Sequence, residues 1–452
     1  MNKVRFDSSL TVFVETLLQF FKSDDLEQSV FIRDINGQLG VILAAKLSEA
    51  ETNSIASQLI TKLGSYARPY SLVADQNGFG VHELFAEAQN YPGIFVAGIQ
   101  IRLLDRRAVG IDWLNAPAAH RSGSLPCYVF ASIKGGVGRS TALCVAAAHF
   151  SRRGRRVLAI DFDLEAPGIG SMLLHENELP QFGSLDFLVE SQVGGFDASL
   201  IQEMIGGSYL GKAGARVDVL PAIGKATLEA PQNALAKIAR AYMEMQPADG
   251  GPLVTLGGKL KKLVELCEVT GRYDVILVDS RAGLHESTAA AMLALGGEIL
   301  LFGANQPQTF QGYKLLFAHL AQFPINPEND WRERLSFIHA KAGRTDKAKQ
   351  EVAEKFGDLF RLLTMKSAST NESEDESITA EDIDFVWNDS PKNDPEEETV
   401  EYRVLHILDD GQYHNFDPIS REDLLDFASY EYTFADFIKY LDEEIDSILE
   451  PN

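Results

Sequence analysis

Eight consecutive residues, Lys134-Gly135-Gly136-Val137-Gly138-Arg139-Ser140-Thr141, carry the strongest chemical signal in this 452-residue chain. Three glycines in five positions let a backbone pass close to phosphate oxygens with its N–H groups turned inward. A helix starting near Arg139 adds the positive end of its dipole. Arg139 stands where a phosphate-binding loop places the lysine that reaches the β/γ-phosphates, and Ser140 where a hydroxyl ligates Mg²⁺. Two acidic segments follow later apolar runs: Asp161-Phe162-Asp163, and Asp279 at the head of Asp279-Ser280-Arg281-Ala282-Gly283. Taken alone, an Asp at a strand end often only caps the next helix. A glycine-rich loop followed in order by two such acids is a stronger pattern.

The octapeptide resembles the deviant Walker A motif of the ParA/MinD family of P-loop ATPases, and the resemblance covers about residues 126–343. It implies bound ATP and Mg²⁺. It makes Lys134 the signature lysine, reaching across an ATP-promoted homodimer to the partner's nucleotide. Asp161-Phe162-Asp163 is similar to the family's switch I, where Asp163 orients the attacking water and Asp161 supports the metal shell. Asp279 to Gly283 is similar to its Walker B and switch II, where Asp279 holds Mg²⁺ with Ser140 and the Gly283 backbone approaches the γ-phosphate. Asn305 and Pro307 stand where the family often recognises the base, although a simple turn explains them equally well. Two positions depart from the pattern. Arg139 replaces the usual loop lysine, a planar fork in place of a compact ammonium, which puts fast hydrolysis in question. Arg281 stands where the family commonly has proline, as a phosphate or partner contact or as a solvated side chain.

The elements that must position these residues are visible as short apolar runs: Tyr128–Ser132, Val157–Asp161, Val217–Leu220, Val275–Asp279, Ile299–Gly303 and Leu335–His339. Near-continuous apolar strands separated by helical patterns predict an α/β fold, a mostly parallel sheet buried by helices on both faces. Ligands in such sheets bind at the carboxyl ends of strands, where the candidate residues fall. This core is expected over 125–366. A small α/β domain is expected before it, over 1–124. Its expected elements are a helix at Leu10–Phe21, strands at Ser29–Arg33 and Leu39–Ala44, a helix from Glu49 capped by Ser48 and Glu51, and a strand pair at Ile94–Leu104 and Val109–Trp113. An acidic mobile linker (367–400) and an acidic C-terminal helical segment (401–452) are expected after it.

Charge is distributed unevenly. Residues 371–452 hold 26 Asp+Glu against 4 Lys+Arg, while the other 370 residues hold 39 against 37. The net charge of -24 therefore belongs almost entirely to the tail, which phosphate would repel. The near-neutral body permits nucleic-acid binding, but no motif indicates it. The cluster Arg152, Arg153, Arg155 and Arg156 reads as a solvated helix end. Cys127, Cys144 and Cys267 form neither a disulfide framework nor a CxxC pair. With no apolar run long enough to span a bilayer and no signal peptide, a cytoplasmic protein is expected. The function expected is a nucleotide-dependent dimerisation switch that recruits a protein partner through the N-terminal domain or the tail, in a positioning, partition or defence-type system. A non-hydrolysing ATP-bound scaffold is the alternative. A bacterial tyrosine autokinase is a third, kept open by Tyr402, Tyr413, Tyr430, Tyr432 and Tyr440. Iron–sulfur relatives are disfavoured by the dispersed cysteines.

Overall fold

The computed structural model describes residues 3–449 apart from 77–79, 90, 92, 121–122, 195–199, 213, 248–250 and 365–401. The chain divides into two compact units, Met1–Ala116 with Gln322–Pro324, and Pro117–Ala321 with Ile325–Asn452. The expected linker 367–400 lies outside the described residues.

The first unit is a five-stranded mixed sheet in the order β3-β2-β1-β5-β4, formed by β1 (Val30–Arg33), β2 (Leu39–Leu43), β3 (Val73–Asp75), β4 (Ile94–Val96) and β5 (Ile99–Asp105). Its first helix, Phe6–Leu17, begins four residues earlier than expected and buries Leu10, Phe13, Val14 and Leu17. The helix Glu49–Leu63 carries the expected capping box: the Ser48 hydroxyl accepts from the Glu51 N–H, and the Glu51 carboxylate accepts from the Ser48 N–H. The expected strand at Val109–Trp113 does not form. The antiparallel hairpin closes earlier, between β4 and β5, because Ala97 and Gly98 both take positive φ (49° and 83°) and turn the chain in two residues.

The second unit is an eight-stranded sheet in the order β13-β12-β11-β6-β10-β7-β9-β8. Its strands are β6 (Cys127–Ser132), β7 (Val157–Asp161), β8 (Gly206–Gly207), β9 (Val217–Leu220), β10 (Val275–Ala282), β11 (Glu298–Gly303), β12 (Leu335–Ala342) and β13 (Arg403–Leu408). All neighbours are parallel except the short β8 against β9. All six apolar runs read from the sequence are strands of this sheet. One face is covered by the helix Arg139–Arg152 and the C-terminal helix Ala435–Leu449. The face carrying Phe337 is covered by the helices Pro307–Leu320 and Asp346–Thr364, through Tyr313 and Phe356.

The C-terminal segment is more than a helical tail. β13 extends the sheet in register with β12. Phe437 packs edge-on against Phe130 and Phe302, ring centroids 6.2 and 6.3 Å away. The acidic face that dominates its composition points outward, and the apolar stripe that the composition hides is core. At the other boundary, residues 117–120 dock on the second unit: the Ala118 N–H donates to Leu293 O, and Arg334 donates to Ala118 O. The first boundary thus falls at 116/117, not at 124/125. Among the described residues no helix is long and apolar enough to cross a membrane.

Candidate nucleotide site

β6 ends at Ser132, and the loop that follows bends into the helix Arg139–Arg152. Gly136 and Gly138 adopt φ of 73° and 88°, backbone that a side chain would strain, and nothing stands near where a Cβ would sit. The loop is therefore open on the side that would face a ligand. Its apolar residue, Val137, is buried as an anchor.

Three strands bring the chemistry together. Asp161 ends β7, Asp163 lies two residues on, and Asp279 lies in β10, next to both β6 and β7. The Ser140 hydroxyl donates to Asp279 Oδ2 at 2.7 Å. Arg139 is 9% exposed and turns inward, away from the open side of the loop. Its Nε donates to Asp279 Oδ1 at 2.6 Å, one terminal nitrogen to Ser132 Oγ at 3.2 Å, and the other to Asp163 Oδ2 at 3.5 Å. Burial works against the guanidinium charge, but Asp279, Asp163 and Asp161 outweigh it and Arg139 is held more firmly protonated than usual. The sequence placed Arg139 on phosphate; this structure places it on carboxylates.

The acids differ in role. Asp161 is fully buried, and its oxygens accept N–H bonds from Asp163, Gly168 and Ile169. Burial, then repulsion from Asp279, pushes its carboxyl up to about 7 against those N–H bonds. It organises the Asp163–Ile169 turn, with two N–H bonds on Oδ2 and one on Oδ1. Asp163 accepts from the Ala166 N–H; burial raises its pKa, while that N–H and Arg139 pull it back.

A second cation joins from β10. One terminal nitrogen of Arg281 meets Glu165 at 2.5 Å and Asp163 at 3.8 Å, and His285 approaches Glu165 at 3.5 Å. Glu165 was missed from the sequence, although it stands two residues past Asp163. So was Gln306, which accepts from Lys134 Nζ at 2.9 Å.

Lys134 is exposed at the mouth of the loop. Asn305 and Pro307 flank Gln306; both are exposed, and Asn305 accepts from Lys355 rather than facing the loop. Gly283 keeps a left-handed φ of 96°, but its N–H donates to Ser132 O at 2.8 Å and is not free for a phosphate. Thr141 lines a 40 Å³ cavity together with Val137, Gly138, Lys341, Asp410 and Tyr413. Of the basic cluster, Arg156 pairs with Asp274 and Arg153 with Asp442, which fits a helix end tied down locally.

The donor set suits Mg²⁺. A hydroxyl and a carboxylate oxygen lie side by side at Ser140 and Asp279, and Mg²⁺ needs only one or two protein oxygens when phosphates and waters complete its shell. Among the described residues no group of three or more His, Cys, Asp or Glu forms a protein-only cage.

A glycine loop between a buried strand and a helix N-terminus, with a hydroxyl–carboxylate pair behind it, has the layout of a phosphate-binding loop. Residues 128–268, about a third of the chain, match the family model described as the CobQ/CobB/MinD/ParA nucleotide binding domain. Solved structures resembling the chain include the MinD cell division protein of Aquifex aeolicus, with a TM-score of 0.41 and 16% identity over 70% of this chain and 97% of that one. The cell division ATPase MinD of Pyrococcus furiosus gives 0.34 and 21% over 51% and 79%. Cobyrinic acid a,c-diamide synthase of Mycobacterium smegmatis gives 0.36 and 17% over 52% and 82%. No curated protein matches the sequence.

Proposed function

We propose that the second unit binds ATP with Mg²⁺ and is an ATPase acting as a nucleotide-dependent dimerisation switch. The observation that carries this reading is the meeting of the open glycine loop, the Ser140–Asp279 pair and Asp163 at the carboxyl ends of β6, β10 and β7. Loop N–H groups and the helix N-terminus would bind the phosphates. Ser140 and Asp279 would hold Mg²⁺, which neutralises charge on the phosphate oxygens when bound. Asp163, joined to Asp279 through the Arg139 guanidinium, is the residue to orient a water. Lys134 is exposed and extended at the rim, so it is free to exchange Gln306 for the triphosphate of a second copy. The output is recruitment of a protein partner through the first unit or the acidic exterior of the C-terminal segment.

One observation favours a second reading, a scaffold that retains ATP without turnover: Arg139 is committed to Asp279 and Asp163. Of the tyrosines behind the autokinase reading, Tyr430 and Tyr440 are core residues and Tyr413 is half-buried, while Tyr402 and Tyr432 are exposed.

The test is solution mass by light scattering, without nucleotide and with ATP·Mg²⁺, for wild type and Lys134→Ala. The switch requires that wild type doubles its mass only with ATP and that the variant does not. A mass indifferent to ATP in both proteins refutes it.

A further inference from the structure

Three features of Arg139 reach beyond ATP binding itself. Its side chain points into the sheet end, not across the loop. Each of its three guanidinium nitrogens has a partner, on β6 (Ser132), on the turn after β7 (Asp163) and on β10 (Asp279). Both carboxylate oxygens of Asp279 are consequently occupied, one by Arg139 and one by Ser140. A compact ammonium has no planar fork with which to hold all three partners in one geometry.

We propose that Arg139 is a resident counter-ion which holds the acidic cluster closed against free divalent metal, until the phosphates of a nucleotide draw the guanidinium away. This rests on the reading of the site as an ATP·Mg²⁺ pocket.

The chemistry is one of exchange. Asp279 and Asp163 are buried acids, and leaving them without a cation would be costly. The guanidinium satisfies them while the loop is free. A divalent ion that approaches alone must displace a buried charge-assisted pair and strand the arginine. A triphosphate that arrives with its metal offers the guanidinium a new and more highly charged partner, while the metal takes over the carboxylate, so no charge is left unpaired. Arg281, ion-paired with Glu165 and near Asp163, stays behind as the second cation and keeps the Asp163 turn compensated during the exchange. Binding of metal and of nucleotide is therefore tightly coupled, and the coupling is reciprocal.

The experiment titrates MgCl₂ into the full chain without nucleotide, by calorimetry and thermal shift, for wild type, Arg139→Gln and Arg139→Lys. Wild type is expected to show little response to Mg²⁺ alone. Arg139→Gln is expected to start from a lower melting temperature and to gain a saturable, Mg²⁺-induced rise, with affinity at least about tenfold tighter than wild type. Arg139→Lys falls between them, and it decides the matter if Arg139→Gln does not fold. Equal Mg²⁺ affinity in wild type and the folded variants overturns the proposal, as does absence of Mg²⁺ binding in all of them. A parallel titration with a fluorescent ATP analogue separates the two readings: if no protein binds the analogue with or without Mg²⁺, the ATP pocket fails, whereas the nucleotide-free Mg²⁺ comparison still judges the role of Arg139.

Discussion

Replacing Phe437 by alanine tests whether the last fifty residues belong to the core of the eight-stranded sheet. The ring is fully buried and stands edge-on to Phe130 of β6, the strand that leads into the loop, and Phe302 of its neighbour β11. Truncating a phenylalanine in such a place removes its transfer free energy and leaves a cavity, about 3–5 kcal/mol in all. The edge-to-face contacts argue for the upper half of that range. At about 2–3 °C per kcal/mol for a domain of this size, the melting temperature of the second unit falls by about 8–15 °C. Lys439→Ala serves as the control. It lies on the same helix, is 77% exposed and pairs with Glu443 one turn on, so its loss costs less than about 0.5 kcal/mol. Urea unfolding followed by circular dichroism, with ligand-free protein, measures both. A loss below about 1 kcal/mol for Phe437→Ala refutes the claim that this segment is core.

Two further outcomes are expected. Burial, and then Glu444, pushes Glu298 up to about 7, so the fold prefers its protonated form; its contribution is complete below the ordinary glutamate range and is lost as pH rises through about 7. Unfolding free energy should fall by the order of 2 kcal/mol between pH 5 and pH 8 on this account, and Glu298→Gln should flatten that slope; an unchanged slope in the variant rejects the assignment. Gly138→Ala forces a side chain into left-handed backbone at the loop, a strain of about 1–2 kcal/mol, and should weaken nucleotide binding. Gly154→Ala has similar backbone (φ 78°) at the far end of the same helix and should lose stability while keeping nucleotide affinity. Equal affinities in a fluorescent-nucleotide titration of these two variants would contradict the loop's role.

The parts of the molecule that were legible in the sequence share a physical reason. A parallel strand buried on both faces must be apolar throughout, and six runs stood out for that cause. Glycines at positive φ and a serine at a helix start are likewise dictated by local geometry. β8 was illegible because two glycines carry no pattern at all. β13 was hidden because its half-buried side chains sit within a strongly acidic stretch, and charge counted over a window masks a stripe counted by position. The side-chain direction of Arg139 was beyond reach for another reason: a motif gives a position, whereas the choice between phosphate and carboxylate depends on partners 24 and 140 residues away. Glu165 and Gln306 escaped because neither belongs to a spaced pattern; each matters only through what folds against it.

The helix that opens at the phosphate loop ends beneath the C-terminal segment: His149 bonds Asp442 and Tyr430, partners 293 and 281 residues further along the chain. A ribosome that has completed every residue of the loop, of both acidic turns and of β12 has still not supplied the strand and helix that cover this face. Until the final stretch emerges, Phe130 and Phe302 lie open to water, and closure demands contacts of very long sequence separation, which form slowly. The sheet around the loop is therefore completed only once residues 403–449 have been made, and a chain lacking them carries every motif residue yet lacks the cover that packs on Phe130 and Phe302.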